Sequence, residues 1–242
     1  MREMNTDRPD QTESPFTVDA GHVQVEMDLV NYTHDRANGV TTETLAVAPI
    51  NFKVGLLNNV DVQFVLDTYV RETTKVATFP STKTQGTGDL LTRLKVNLWG
   101  NDGGETAFGV MPFVKWPTAK GSLGNGNLEG GIIFPLAVNL GDRFGLGLMT
   151  EFDFLRDSSG GGYHTDFVNS VTLSYDVTDK IGAYVEFFSV ISDEQGSDWQ
   201  GQFDLGVTYG LTADVQLDTG INLGITDSAP DYQPFVGVTV RF

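Results

Sequence analysis

Cysteine is absent from the 242-residue sequence, so disulfides, thiolate zinc sites and cysteine nucleophiles play no part in its chemistry. Basic residues are scarce: 15 Lys and Arg stand against 32 Asp and Glu, a formal net charge of −17. Nucleic-acid phosphates are bound by clustered cations, so a nucleic-acid partner is excluded. Three histidines, His22, His34 and His164, lie far apart along the chain and leave little for a histidine-rich metal centre. No metal and no cofactor is expected. Long hydrophobic runs are missing too. The nearest approach, residues 130–138, is far short of a membrane-spanning helix and is broken by Pro135, so no transmembrane helix is expected. The opening Met1-Arg2-Glu3-Met4-Asn5 lacks the apolar core of a secretion signal, as expected of a mature chain whose leader has been removed.

What the sequence does contain is glycine (28 residues), aromatics (11%) and a persistent period of two. In Val60-Asp61-Val62-Gln63-Phe64-Val65-Leu66-Asp67 the even positions are apolar and the odd ones mostly polar. Leu90, Leu94, Val96 and Leu98 repeat the pattern, as do Phe144, Leu146, Leu148, Phe152 and Phe154. No comparable helical stripe occurs, so the chain is expected to be all-β. Twelve segments carry the alternation: 22–32, 43–56, 60–72, 88–100, 105–116, 127–140, 144–156, 163–177, 181–191, 199–211, 215–225 and 232–242. Most are long enough for a tilted strand to cross a bilayer, which takes about 9–11 residues.

The connections alternate in length. Short Asn-, Asp- and Gly-containing turns fall at 57–59, 101–104, 141–143, 178–180 and 212–214, where tight hairpins tolerate positive φ. Longer Ser/Gly/Thr/Asp-rich loops are expected at 33–42, 73–87, 117–126, 157–162, 192–198 and 226–231. An even strand number with short turns at one end and longer loops at the other predicts a closed, antiparallel, twelve-stranded transmembrane β-barrel of up-and-down topology. Its short turns would be periplasmic and its loops extracellular. Residues 1–20 would form an N-terminal segment and 21–242 the barrel.

A β-sandwich would alternate as well, but three features favour the barrel. The polar strand positions are often glycine rather than the Lys and Glu of a solvated face. Aromatics gather near strand ends: Tyr32, Tyr69, Trp99, Trp116, Phe154, Tyr163, Tyr175, Trp199, Tyr209, Tyr232 and Phe242, the placement of interfacial girdles. The last strand presents Val236, Val238 and Val240 on one face and ends on Phe242. That ending resembles the C-terminal assembly signal of bacterial outer-membrane proteins, so the barrel assembly machinery is an expected partner, with lipid and lipopolysaccharide around a monomer. The segment Thr6-Asp7-Arg8-Pro9-Asp10-Gln11-Thr12-Glu13-Ser14-Pro15, followed by Thr17-Val18-Asp19-Ala20-Gly21-His22, resembles the opening of a family of bacterial outer-membrane transporters. That family carries the description "MetA pathway of phenol degradation". The resemblance covers residues 6–242 and implies a twelve-stranded outer-membrane channel for small, hydrophobic or aromatic molecules.

With the apolar face outward, the charged residues between fall inside. Lys53, Arg71, Arg93, Lys95 and Lys115 would line one wall, on strands two to five. Glu26, Asp28, Asp61 and Asp67 share the early strands, and Glu129, Glu151, Asp153, Asp166, Glu186, Asp204 and Asp218 make an acidic arc opposite. The alternative is that these charges pair and fill the interior, giving a non-conducting structural or adhesion barrel. Asp7, Arg8, Asp10 and Glu13 are expected to enter the lumen as a constriction, with Arg8 meeting Glu151, Asp153 or Glu186. An enzyme is not expected. His164 with Asp166 lacks the serine of a phospholipase-like pair, and the glycine runs at 124–126 and 160–162 lack the strand–helix setting of a phosphate loop.

Overall fold

The computed structural model describes residues 1–119 and 123–242. Part of the expected loop 117–126, residues 120–122, therefore lies outside the described residues. The described residues form fifteen strand segments. The first seven are β1 (Val23–Ala37), β2 (Val40–Val47), β3 (Ile50–Leu57), β4 (Val60–Leu66), β5 (Tyr69–Val76), β6 (Phe79–Gly86) and β7 (Leu90–Trp99). The rest are β8 (Thr106–Trp116), β9 (Glu129–Asn139), β10 (Phe144–Arg156), β11 (Tyr163–Asp176), β12 (Ile181–Ser192), β13 (Gln200–Thr212), β14 (Val215–Gly224) and β15 (Tyr232–Arg241).

These make twelve staves, because three staves are each built of two segments. β1 pairs with β3 through its first half and with β2 through its second. β4 and β5 continue one another opposite β3 and β2, and β7 and β6 do the same opposite β4 and β5. Every pairing is antiparallel, and β15 pairs back onto β1 with Gln24 opposite Arg241. The sheet is closed, which hydrocarbon demands of any β structure that crosses it. Reciprocal bonds between Val23 and Phe242 finish the seam at the turn end.

Two expected loops are strands. Residues 33–42 continue β1 and start β2 around an Asn38–Gly39 turn in which both residues have positive φ. Residues 73–87 are mostly the β5–β6 hairpin. Their Thr-, Lys- and Gly-rich composition resembles a loop, but both hairpins extend the sheet beyond the apolar band, where polar side chains suit either face. The joins at Ala48–Pro49, 67–68 and 87–89, with the register shift between Asp28 and Val30, form a row across four neighbouring staves.

Each join adds one residue to the alternation and inverts the faces above it. Arg71 is the consequence. Strict alternation from Asp67 points it inward, yet it pairs with Leu45, which pairs with Tyr32, and the row below is Tyr69, Val47 and Val30, all exposed on the outer surface. Arg71 is an outer-surface residue and does not belong with the inward cations.

Burial is inverted relative to a soluble domain. Gln63, Lys95, Asp204 and Thr239 have no exposure, while Leu98, Phe187, Leu205 and Val207 stand open on the outside. So broad an exposed apolar surface exceeds what soluble monomers carry and matches a lipid-facing band. Aromatics border it at both ends. At the turn end Trp99 stacks on Phe108 and Phe144 packs against Tyr175; at the loop end Tyr32 and His34 lie against Tyr232.

Candidate functional site

The inward side chains enclose the N-terminal segment, and the two are charge-complementary. Asp7 pairs with Lys53 and, at 2.5 Å, with Lys95, while its amide donates to Glu26, which also meets Lys53. Glu13 pairs with Arg93. Arg8 spans Asp28 at 2.5 Å and Asp218 at 2.6 Å. Backbone amides serve the carboxylates that lack a cation: Gln11 and Thr12 both donate to Glu186 at 2.8 Å, and Val18 donates to Asp61 at 3.0 Å. Asp204 accepts from the Gln11 amide group at 2.8 Å. Asp10 turns toward Thr172 and Glu186. Buried charge is tolerated only when paired or hydrogen-bonded, and here segment and wall supply each other's partners.

Arg8 does not meet Glu151, Asp153 or Glu186. It turns instead to the seam between first and last staves. Asp28 and Asp218 flank Gly237 there and hold the guanidinium, and a Cβ on Gly237 would lie 2.1 Å from it, so the glycine leaves it room. The Phe235 ring closes the slot, with the guanidinium carbon 5.5 Å from the ring centre. Gly55 performs the same service lower down, where a Cβ would sit 2.0 Å from the Asp19 carbonyl oxygen.

Toward the loop end, Lys115 binds Glu129 at 2.8 Å and approaches Asp89 at 3.9 Å. Glu151 neighbours Asp153, which is directly opposite Asp166 in the ladder. Asp67 is exposed beside the 67–68 join. Glu129, Glu151, Asp153, Asp166, Glu186, Asp204 and Asp218 lie on β9–β14, and Lys53, Arg93, Lys95 and Lys115 on β3, β7 and β8.

Two features escaped the sequence reading. The first is apolar. Met111, Ile133, Met149 and Val168 form a buried inward cluster, joined by Phe113, Phe188 and Val190, on the wall from β8 to β12. The Glu13 amide donates to the Met149 sulfur at 3.4 Å, so the cluster begins where the segment ends. The second is a periplasmic anchor. The Arg2 amide and Nε bind the Asp19 carboxylate at 2.8 and 2.6 Å, its Nη2 reaches the Asn58 carbonyl at 2.7 Å, and Arg241 donates to the Arg2 carbonyl while pairing with Asp214. Burial alone would raise the Asp19 carboxyl, but the Arg2 amide and guanidinium outweigh it and hold it below its ordinary value. A cavity of about 550 Å³ remains beside the segment at the turn end, between Met4–Phe16 and the feet of β9–β12.

Solved structures share this architecture. An outer-membrane channel from Pseudomonas putida F1 superposes with a TM-score of 0.70 at 14% identity, covering 98% of this chain and 100% of that one. The NanC porin gives 0.55 at 10% identity, covering 90% and 98%. CymD, a monoaromatic hydrocarbon channel, gives 0.51 at 11%, covering 93% and 88%. At such identities the likeness establishes the fold, a bacterial outer-membrane β-barrel. No protein with a curated description matches the sequence. The sequence matches one family over residues 6–242, and on that ground the chain belongs to the family described as "Putative MetA-pathway of phenol degradation".

Proposed function

We propose that this protein is a monomeric outer-membrane channel for the passive uptake of small apolar molecules, aromatic ones included, with residues 1–20 as its constriction. The observation that carries the reading is the inward cluster of Met111, Ile133, Met149 and Val168 with two phenylalanines beside it. Adaptable Met and flat Phe faces suit small apolar solutes. The description of CymD as a monoaromatic hydrocarbon channel and the phenol of the family description point the same way.

The test is uptake of radiolabelled toluene at low external concentration by cells lacking their other porins. Expression of the chain should raise the initial rate, and Ile133→Asp should remove the gain while the protein still shifts on unboiled gels. Equal rates with and without the chain would refute the reading. The density of bonds between segment and wall favours a second reading, a non-conducting barrel plugged by its own N-terminus. Single-channel recording separates the two, since a permanently plugged barrel gives no conductance steps.

A further inference from the structure

One cluster lies outside the path described above. At the loop end, where β10 gives way to β11, His164 is surrounded by carboxylates from three stretches of chain. Its Nδ1 lies 3.3 Å from Asp157 Oδ1, and its Nε2 lies 3.6 Å from Asp166 Oδ1 and 4.0 Å from Glu194 Oε2. The imidazole is nine-tenths buried. Asp166 Oδ1 is itself buried without any hydrogen-bond partner.

The arrangement is held from outside. The Ser158 amide donates to the other oxygen of Glu194 at 2.6 Å, and the Thr165 amide and Asp193 carboxylate tie the Glu194 loop to the start of β11 at 2.7 Å. Asp157, His164 and Glu194 each present a ligand atom within 4.8 Å of the others. Tetrahedral ligands at about 2.1 Å from an ion stand roughly 3.4 Å apart, so these three atoms close around a cation by contracting their separations by roughly 1.4 Å at most. The nearest base, Arg156, is turned to the Gly161 carbonyl and the Tyr163 ring.

We propose that Asp157, His164 and Glu194 form a site for a divalent transition cation of the zinc class. One nitrogen with carboxylate oxygens selects such an ion over calcium or magnesium, which take oxygen ligands alone. A histidine that ligates through one nitrogen commonly gives the other N–H to a carboxylate, a part open here to Asp166, 3.6 Å from Nε2. A bound ion would join the 157–162 and 193–198 loops to the barrel rim and cancel part of the acidic charge at the mouth.

The test is calorimetric titration of zinc chloride into the untagged, detergent-folded protein, with cobalt(II) absorption as a second readout. One zinc per barrel should bind. Asp157→Asn should weaken binding by about tenfold or more, because it removes an anionic ligand and losing even an outer-shell carboxylate costs that much. His164→Ala should abolish it together with the cobalt bands, and His164→Gln serves if that variant fails to show the folded gel shift. His34→Ala, at the other histidine–carboxylate pair (His34 to Asp231, 3.8 Å), should change nothing. Absence of zinc binding by the wild type, or equal binding by a folded His164 variant, would overturn the assignment.

Discussion

At the scale of single residues, this interior rests on two glycines and two arginines. Arg8 holds two buried aspartates through a slot that exists because position 237 has no side chain. Gly237→Ala should therefore act like Arg8→Ala. Both should fold, and both should free the segment and give larger, noisier conductance steps, whereas Arg8→Lys should fall between because it loses the bidentate geometry. Steps identical to wild type in all three would mean that the Arg8 pairing does not restrain the segment. Arg2 carries a pH prediction through Asp19. A carboxyl depressed in the folded state contributes stability above its unfolded pKa, about 3.9 for aspartate, and loses that contribution as pH falls through the depressed value. The Arg2 anchor should therefore hold at pH 5 and above and release only in stronger acid. A distance measurement between labels near Met1 and Asn58 reports this, and release between pH 5 and 7 would contradict the assignment.

At the scale of elements, the N-terminal segment and the staves are separable. Among the described residues no backbone–backbone hydrogen bond ties residues 1–16 to the staves, the first being that of Gly21 to Gly55, so deleting residues 1–16 should leave the heat-modifiable barrel intact and raise single-channel conductance several-fold. Lys53 and Lys95 lose Asp7 in that variant, but water enters with the deletion, so the penalty for an unpaired buried charge does not apply in full. A deletion variant that folds and conducts as before would place the restriction elsewhere. The staves answer to lipid. Leu205, near the middle of β13, faces outward, and Leu205→Arg should destabilise the folded barrel in vesicles by about 2–4 kcal/mol, the cost of a cation at the bilayer midplane. Denaturant unfolding in lipid measures it, and an unchanged midpoint would mean that β13 faces the other way.

At the scale of the molecule, inward acids outnumber inward bases once Arg71 is moved to the outer surface. A salt-gradient reversal potential should therefore show cation preference, moderated by Lys53, Arg93, Lys95 and Lys115 on the opposite wall. Clear anion preference would mean that Glu151, Asp153 and Asp166 do not face the path.

Alternation with period two determined the strands, their number and their faces wherever a stave is regular, because a half-buried strand has only one chemical solution. The alternating turn lengths determined the topology, and the terminal phenylalanine and end-of-strand aromatics the membrane setting. The inward glycines at 147 and 237 were a visible signal of close approach, since the segment's Thr12 and Arg8 fill the space above them, but nothing in the sequence says what approaches. Three things were left to the tertiary structure. The joins at 48–49, 67–68 and 87–89 invert the alternation, and an inversion is invisible until neighbouring staves show which register they keep. The β5–β6 hairpin beyond the bilayer faces water on both sides, so its strands carry no amphipathic pattern to read. Asp157, His164 and Glu194 come from different stretches of chain, and Met111, Ile133, Met149 and Val168 from four staves. The register between neighbouring staves β8 to β12 brings each set together, because it decides which of their residues share a level.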